Sequence, residues 1–401
     1  MKQFNKNLSP ALRGAIYYAI FYAVVGSYFA YINVAYIQRG LSGVQIGTFS
    51  SVGAFLALVA SPLLTGLADR KGWHTQILVI NNLLFGISLV SLYFIPTFQW
   101  MLPVVAINAV AGAPLMPISD SLLVRMANKH RLDFGKMRLW GSIGFTVVCI
   151  LTGTLWDVIG LEYLFIVSGI IFILRSLSVM LIEAPDSEVK EVEAGKGLSS
   201  GLKSFLLPFK DRRFVAFLIG TFFWGCCMAF FTYSSIYMDQ LGGSSLLVGL
   251  MMAIPALMEV PALVVADRLA DRFGLLPVFM AGILQFCMII VVVIFVKSPV
   301  VLVILNGIRG LGFGVNIVMG IRFVDRLAPK EQVGLYQSLY NVVMFFFSML
   351  IFMPFLGYLF DYHGIQWVFI ATALAGGAAI LIFGILHFLT KKGAKQGQLV
   401  S

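Results

Sequence analysis

Along this chain the apolar residues fall into long runs separated by short polar stretches. A helix that crosses the hydrocarbon core of a bilayer needs about 20 mostly apolar residues. Runs of that kind predict spans over 13–38, 44–67, 76–95, 100–126, 138–158 and 162–183, then over 213–238, 246–267, 275–296, 299–324, 332–359 and 366–388. The first run, Gly14 to Ile37, is too long for the apolar core of a signal peptide, and no small-residue cleavage site follows it. It is therefore expected to be a span, not a cleaved leader.

Composition points the same way. Hydrophobic residues make up 60 % of the chain and charged residues 11 %, with a mean hydropathy of +0.94. A soluble domain is about a quarter charged because its surface faces water. The length of 401 residues would otherwise suggest two or three soluble domains. A surface this poor in charge instead suits lipid, and the expectation is an all-α integral membrane protein of twelve transmembrane helices. Cys149, Cys226, Cys227 and Cys287 lie inside apolar runs and form no C-x-x-C motif, so they are expected to be small core residues.

The net charge of +10 is a topology signal, not a nucleic-acid footprint. Of the 28 Lys and Arg, only Arg39 and Lys297 fall in loops on the side opposite the termini, and Arg138, Arg175 and Arg309 fall within spans. All the others share the side of the termini. By the positive-inside rule that side is cytoplasmic, which places the chain in the cell membrane with both termini inside. The longest polar segment, about Pro185 to Arg213, carries Asp186, Glu188, Glu191 and Glu193, then Lys196, Lys203 and Lys210. It reads as a cytoplasmic linker, amphipathic around 198–209. The predicted organisation is an N-terminal bundle over 1–184, a linker over 185–212 and a C-terminal bundle over 213–401.

The chain also repeats itself. Leu67-Ala68-Asp69-Arg70-Lys71-Gly72 follows the second span, and Leu269-Ala270-Asp271-Arg272-Phe273-Gly274 follows the eighth, 202 residues on. Gly153-Thr-Leu-Trp-Asp157-x-x-Gly160 closes the fifth span, and Gly357-Tyr-Leu-Phe-Asp361-x-x-Gly364 closes the eleventh, 204 residues on. Two motifs recurring in register at corresponding helices indicate duplication. Duplicated halves in a membrane protein imply alternating access, in which two bundles rock about a site near the midplane.

Gly66-x-x-Asp69-Arg70-x-Gly72 resembles the signature loop between the second and third spans of the major facilitator superfamily, and its degenerate copy at Asp271, Arg272 and Gly274 is typical of that family. The resemblance covers the whole chain and implies two pseudo-symmetric six-helix bundles. It also implies a gating role for the loop. Asp69 would pair with a helix end or a basic side chain, and Gly66 would permit close helix contact.

Charges at bilayer depth cost about 2.5–3.5 kcal/mol each even on the lenient insertion scale, so those that remain are functional candidates. Two acids stand well inside spans, Asp120 in the fourth and Glu259 in the eighth, with Arg138, Arg175 and Arg309 as the basic residues. Asp120 and Arg138 lie at similar depth on neighbouring helices, so a pair between them is expected. Glu259 and Arg309 both fall about midway through their spans, and a second pair is expected there. Burial favours the neutral form of a carboxylate and a guanidinium favours the charged form, so a change in their contact would couple proton uptake to movement. Arg175 is expected to be structural, with its side chain snorkelling inward.

The 18-residue spacing of Asp120 and Arg138 resembles the acid–arginine couple of the lactose permease, where the couple binds sugar. The string Gly135-Lys136-Met137-Arg138-Leu139-Trp140-Gly141-Ser142-Ile143-Gly144, with Pro117-Ile118-Ser119-Asp120-Ser121-Leu122 before it, resembles more closely the phenylpropionate permeases and nucleoside–proton symporters. The chain departs from the lactose permease pattern in its tenth span, which carries Asn306, Arg309 and Asn316 and no acid. The galactoside-stacking tryptophan of that family falls at Phe145. Other candidate cavity residues are Tyr22, Tyr28 and Asn33, Asn108, Trp224 and Tyr233, Asn306 and Asn316, and Gln337, Tyr340 and Asn341. Each could equally be a helix–helix contact. A cavity mixing aromatic faces with these groups suits a small neutral or anionic organic solute.

No phosphate-binding loop of the G-x-x-x-x-G-K-[ST] kind occurs, and neither does G-x-S-x-G or H-E-x-x-H. The expectation is a transporter and not an enzyme, with no cofactor and a proton gradient as its energy source. Its partners would be a small-molecule substrate, protons and lipid, with no nucleic acid, and a monomer is the family default. Proton-coupled symport of a sugar, nucleoside or aromatic acid is the leading reading. Proton-driven efflux of drugs or sugars is the alternative, and a non-transporting receptor or intramembrane enzyme is a remote one.

Overall fold

The computed structural model describes residues 8–183 and 207–397. Twelve helices among them are long and apolar enough to cross a membrane. We number them α1 (Pro10–Gln38), α2 (Gly43–Lys71), α3 (His74–Phe94), α4 (Phe98–His130), α5 (Phe134–Ile159), α6 (Leu161–Leu181), α7 (Arg212–Gln240), α8 (Ser245–Phe273), α9 (Leu275–Val293), α10 (Pro299–Leu327), α11 (Val333–His363) and α12 (Ile365–Leu389). Each corresponds to one of the twelve predicted runs. Large apolar side chains such as Val158, Phe295 and Phe388 stand exposed on the surface, as a lipid solvent allows. The predicted linker falls mostly outside the described residues, including Asp186, Glu188, Glu191, Glu193, Lys196 and Lys203. Its far end is a short 3-10 turn at Leu207–Lys210.

Several helices are interrupted. Pro114 breaks α4 between Gly112 and Leu115 because a proline ring clashes with the preceding turn. In α11, a π-helical stretch at Val342–Phe347 interrupts the α-helix. The duplicated motifs end where the backbone demands glycine. Gly72 and Gly274 adopt φ of 68° and 90°, and Gly160 and Gly364 adopt 93° and 89°. A side chain is strained in that left-handed region, which explains why both copies of each motif keep the residue.

The chain divides into two compact units, one of Met1–Val192 with Met238–Ala253, the other of Glu193–Tyr237 with Ile254–Ser401. In the first, α1 packs along α5, α3 along α6 and α2 along α4. Small residues permit the close approaches, as they do wherever lipid offers no hydrophobic drive to helix association. A Cβ on Gly86 would lie 2.6 Å from the Gly169 carbonyl, and one on Gly169 would lie 2.7 Å from the Gly86 carbonyl. Gly141 and Gly144 seat α5 against Tyr22 and Ala19 of α1, which accounts for both glycines of the R-L-W-G-S-I-G string. In the second unit α7 packs on α12, and α9 on α10 and α12.

The first unit is tied at both ends. Where α1 begins, Arg13 donates from Nε to the Leu181 carbonyl (2.9 Å) and from Nη1 to Glu183 (3.3 Å). Glu183 also meets His130 Nε2 at 3.0 Å and Lys129 Nζ at 3.7 Å. At the far end Arg39 donates to the last carbonyls of α3, Leu92 at 2.6 Å and Tyr93 at 3.5 Å, and its guanidinium lies 4.4 Å over the Phe165 ring. A helix C-terminus attracts a cation, which explains a basic residue in a loop that otherwise excludes them. At that end too, Asp157 accepts from the backbone N–H groups of Ser245 and Leu246, at 2.6 and 3.1 Å.

Arg175 does not snorkel. It is 2 % exposed, its guanidinium stacks 4.2 Å over Phe21 and 5.1 Å over Phe172, and its Nε and Nη2 have no hydrogen-bond partner among the described residues. Its position in the middle of the α1–α6 packing, with Ser176 to Leu181 continuing as a 3-10 turn beyond it, leaves no straight path to the helix end.

Candidate functional site

The acid of the signature loop meets basic side chains. Asp69 accepts from His74 Nε2 at 2.9 Å and from Arg125 Nη2 at 3.2 Å, so it ties the ends of α2, α3 and α4. In the second unit Arg322 at the end of α10 meets Asp267 at 2.9 Å and Asp271 at 3.4 Å. The Arg125–Asp69 and Arg322 pairs are exposed on both sides and contribute at most about 1 kcal/mol each, whereas the His74 side chain is buried under its contact with Asp69. Arg70 and Arg272 stand exposed beside them. Gly66 does not mediate close contact, since no described atom lies within 4 Å of where its Cβ would sit. It faces away from the neighbouring helices.

The charges of the first unit gather around a ladder of tyrosines on α1. Tyr18 Oη donates to Asp120 Oδ1 at 2.6 Å, and Tyr17 Oη shares a 2.6 Å hydrogen bond with Ser119 Oγ. Tyr18 and Tyr22, one helical turn apart, make a tilted ring contact with centroids 6.2 Å apart, and Phe134 meets Tyr18 edge-on at 5.9 Å. Arg138 interacts with the Tyr22 hydroxyl and, at longer range, with Asp120. Asp120 and Arg138 thus belong to one cluster but do not form an ion pair within 4 Å. Tyr18 fills the place that the sequence assigned to the arginine. The signal for it was Tyr17-Tyr18 followed by Tyr22, an i, i+4 face on the first span.

The second unit holds the other charges. Gly307, Gly310 and Gly314 line one face of α10, and a Cβ on each would come within 2.9 Å of Ile254, 2.5 Å of Pro255 and 2.9 Å of Glu259 on α8. This brings Glu259 close enough to Arg309 for their charges to interact. No ion pair within 4 Å joins them, and Glu259 makes no side-chain hydrogen bond among the described residues. Arg309 is completely buried. Its Nε donates to Asn306 Oδ1 at 3.0 Å, and Nη1 and Nη2 have no hydrogen-bond partner among the described residues. Phe231 lies 3.8 Å from the guanidinium carbon, with Phe286 at 5.2 Å and Phe230 at 6.0 Å.

The remaining candidates separate into packing residues and open ones. Asn108 donates to Ser88 Oγ at 2.8 Å and joins α4 to α3. Asn316, with its amide oriented as its surroundings require, donates to the Phe279 carbonyl at 3.0 Å and joins α10 to α9. Tyr28 packs between Phe85 and Phe172, Phe145 packs on Gly26, and Tyr340 stacks on Phe217 with its hydroxyl against Gly320. Trp224 and Tyr233 are buried, and Gln337 bonds Asp325 at 2.5 Å. Asn33 and Tyr22 are partly exposed, and Asn341 is exposed beside the π-helical turn. All four cysteines are buried free thiols.

The chain resembles known proteins over nearly all of its length. It is 25 % identical over 332 residues to the maltose permease of Geobacillus stearothermophilus, covering 82 % of each chain. It is 24 % identical over 371 residues to the probable 3-phenylpropionic acid transporter of Escherichia coli K12, covering 90 % of this chain and 94 % of that one. The crystal structure of the nucleoside transporter NupG superposes with a TM-score of 0.81 at 17 % identity, over 96 % of this chain and all of that one, and so shares the twelve-helix fold. Residues 12–371 match the model of the MFS_1 like family, and the chain is a member of that family, a multi-pass membrane transporter of the major facilitator kind.

Proposed function

We propose that this chain is a secondary active transporter that carries a small organic solute by alternating access, together with a proton, in the direction of uptake. The observation that carries the reading is Glu259, an acid in the middle of α8 with a guanidinium in electrostatic range and no ion pair or hydrogen bond among the described residues. A structural ion pair would be closed. An open acid beside a positive charge is a group whose protonation can follow its surroundings. Asp120, held by Tyr18 beside Arg138, is the corresponding acid of the first unit and the candidate for binding solute or a second proton.

Names of the relatives support the solute class. One is a maltose permease and another a probable 3-phenylpropionic acid transporter, and the matched structure is a nucleoside transporter. Sugars, aromatic acids and nucleosides are therefore the panel to test. The lysine and arginine asymmetry supports a cell-membrane location with both termini cytoplasmic. The working unit is a monomer with no cofactor and no nucleic-acid partner.

The test is uptake into proteoliposomes under an imposed proton gradient. One solute of the panel should accumulate, and Glu259→Gln should abolish accumulation while sparing exchange. Expulsion of a hydrophobic dye with no inward movement of any panel member would reverse the direction and favour proton-driven efflux.

A further inference from the structure

Arg309 is completely buried with only part of its hydrogen-bonding capacity used, and the way it is left so is specific. The guanidinium is anchored at one edge only, where Nε donates to the buried Asn306. The outer edge, with Nη1 and Nη2, is buried and without a hydrogen-bond partner among the described residues. Its face lies against Phe231, with Phe286 and Phe230 around it. Trp224 extends the aromatic wall, 5.1 Å from Phe286 between ring centroids.

Buried donors left unmade are costly, and a buried guanidinium is the costliest of them. Aromatic faces relieve part of that cost through cation–π attraction but leave the in-plane N–H groups unused. Two parallel N–H groups on one planar edge match the two oxygens of a carboxylate and bind it in bidentate fashion. A neutral hydroxyl or amide oxygen meets only one of the two. Asn306 fixes the rotation of the group, so the pairing edge is set before any ligand arrives.

We infer that the outer edge of Arg309 is the docking point for the carboxylate of the transported solute, and that the solute is an organic monocarboxylate with an apolar body. The inference rests on the solute-carrier reading above and narrows it. The carboxylate takes the Nη1 and Nη2 edge. The apolar body lies along Phe231 and Phe286, and Phe231, which is only half-buried, moves aside to admit it. Glu259 shares the charge of this guanidinium at longer range. A bound carboxylate therefore competes with the ionised Glu259 for one cation, and binding of the anion is accompanied by binding of a proton.

The experiment is calorimetric titration of the detergent-purified full chain with 3-phenylpropionate and with hexanoate, each against its primary amide and against maltose. The acids should bind about 10- to 100-fold more tightly than their amides, the range expected for a charge-assisted bidentate contact. Arg309→Gln should abolish the acid-to-amide ratio, and Arg309→Lys, which keeps the charge but not the fork, should reduce it. Melting of both variants confirms that they are folded. If they are not, the ratio for the unaltered chain decides. Equal binding of acid and amide, tight binding of maltose alone, or an unchanged ratio in folded Arg309→Gln each overturns the assignment. The two readings fail separately. An acid that binds through Arg309 but accumulates without a proton gradient removes the coupling and upholds this site. A neutral sugar that accumulates with protons, with an acid-to-amide ratio of one, removes this site and upholds the coupling.

Discussion

The carboxylate of Asp157 accepts the first backbone N–H of α8, that of Ser245, at 2.6 Å, and the next, that of Leu246, at 3.1 Å. The opening turn of a helix has donors with no intrahelical acceptor; here Asp157 at the end of α5 takes the first two, and the Ser244 side chain caps the third, accepting from the Leu247 N–H at 3.4 Å. Glycine lets the two segments approach, since a Cβ on Gly153 would lie 2.8 Å from the Leu246 Cα. Asp157→Ala should lower stability by about 0.5–2 kcal/mol, the range for loss of a capping side chain. Asp157→Asn, which keeps an acceptor oxygen, should lose less. Thermal melting of the two variants in detergent checks the order.

The tyrosine ladder predicts unequal effects of two neighbouring hydroxyls. Tyr18 donates to a carboxylate, Asp120, whereas Tyr17 bonds the neutral Ser119. Hydrogen bonds to charged groups contribute about 1.5–3 kcal/mol and neutral ones about 1 kcal/mol. Tyr18→Phe should therefore reduce solute uptake by about 10-fold or more, and Tyr17→Phe by much less. Initial rates in proteoliposomes measure both.

Packing against α10 can be tested with two alanines. A Cβ on Gly310 would lie 2.5 Å from the Pro255 carbonyl, so Gly310→Ala forces α8 away from α10 and disturbs the approach of Glu259 to Arg309. A loss of about 1–3 kcal/mol is expected, with loss of transport. Gly66→Ala meets nothing within 4 Å and should be neutral, or stabilising by up to about 1 kcal/mol, because alanine suits a helix better. The melting temperature should fall for Gly310→Ala and stay level or rise for Gly66→Ala.

The Glu183 clamp predicts an acid limit to stability. Partial burial pushes the Glu183 carboxyl up, but the His130 hydrogen bond and charge, with Arg13 and Lys129, outweigh it and hold the group below the ordinary glutamate range. A carboxyl lowered in the folded state stabilises the protein above the unfolded value, about 4.3. That contribution is lost as pH falls through the lower folded value. The melting temperatures of the unaltered chain and Glu183→Gln should therefore differ at neutral pH and converge as pH falls below about 4. A difference that persists undiminished in acid would show that the clamp is held by something other than this charge.

How much of the molecule was legible beforehand follows from what each kind of information constrains. Twelve spans, the duplicated Asp-Arg and Gly-x-L-x-D motifs and the helix on which each intramembrane charge lies were all readable, because the bilayer acts on each helix separately. An apolar run of sufficient length must cross, and a charge along it sits at a depth set by 1.5 Å per residue. The glycines that close the repeated motifs were readable as well, since positive φ is a local demand.

The partners of the charges were not. Spacing placed Asp120 near Arg138 and Glu259 near Arg309, and both neighbourhoods exist, yet neither pair closes into an ion pair. Sequence spacing fixes how deep a side chain lies, but not which way its helix is rotated about its own axis. That rotation is decided by close packing at a few small residues: Gly141 and Gly144 of α5 against α1, and Gly307, Gly310 and Gly314 of α10 against α8. Turned by those contacts, α1 presents Tyr18 to Asp120, and α10 leaves the outer edge of Arg309 without a partner among aromatic rings. The sequence alone determined the helices, their number and their duplication. Only tertiary packing decided which face each helix shows, and so which charges are satisfied and which remain open to a ligand.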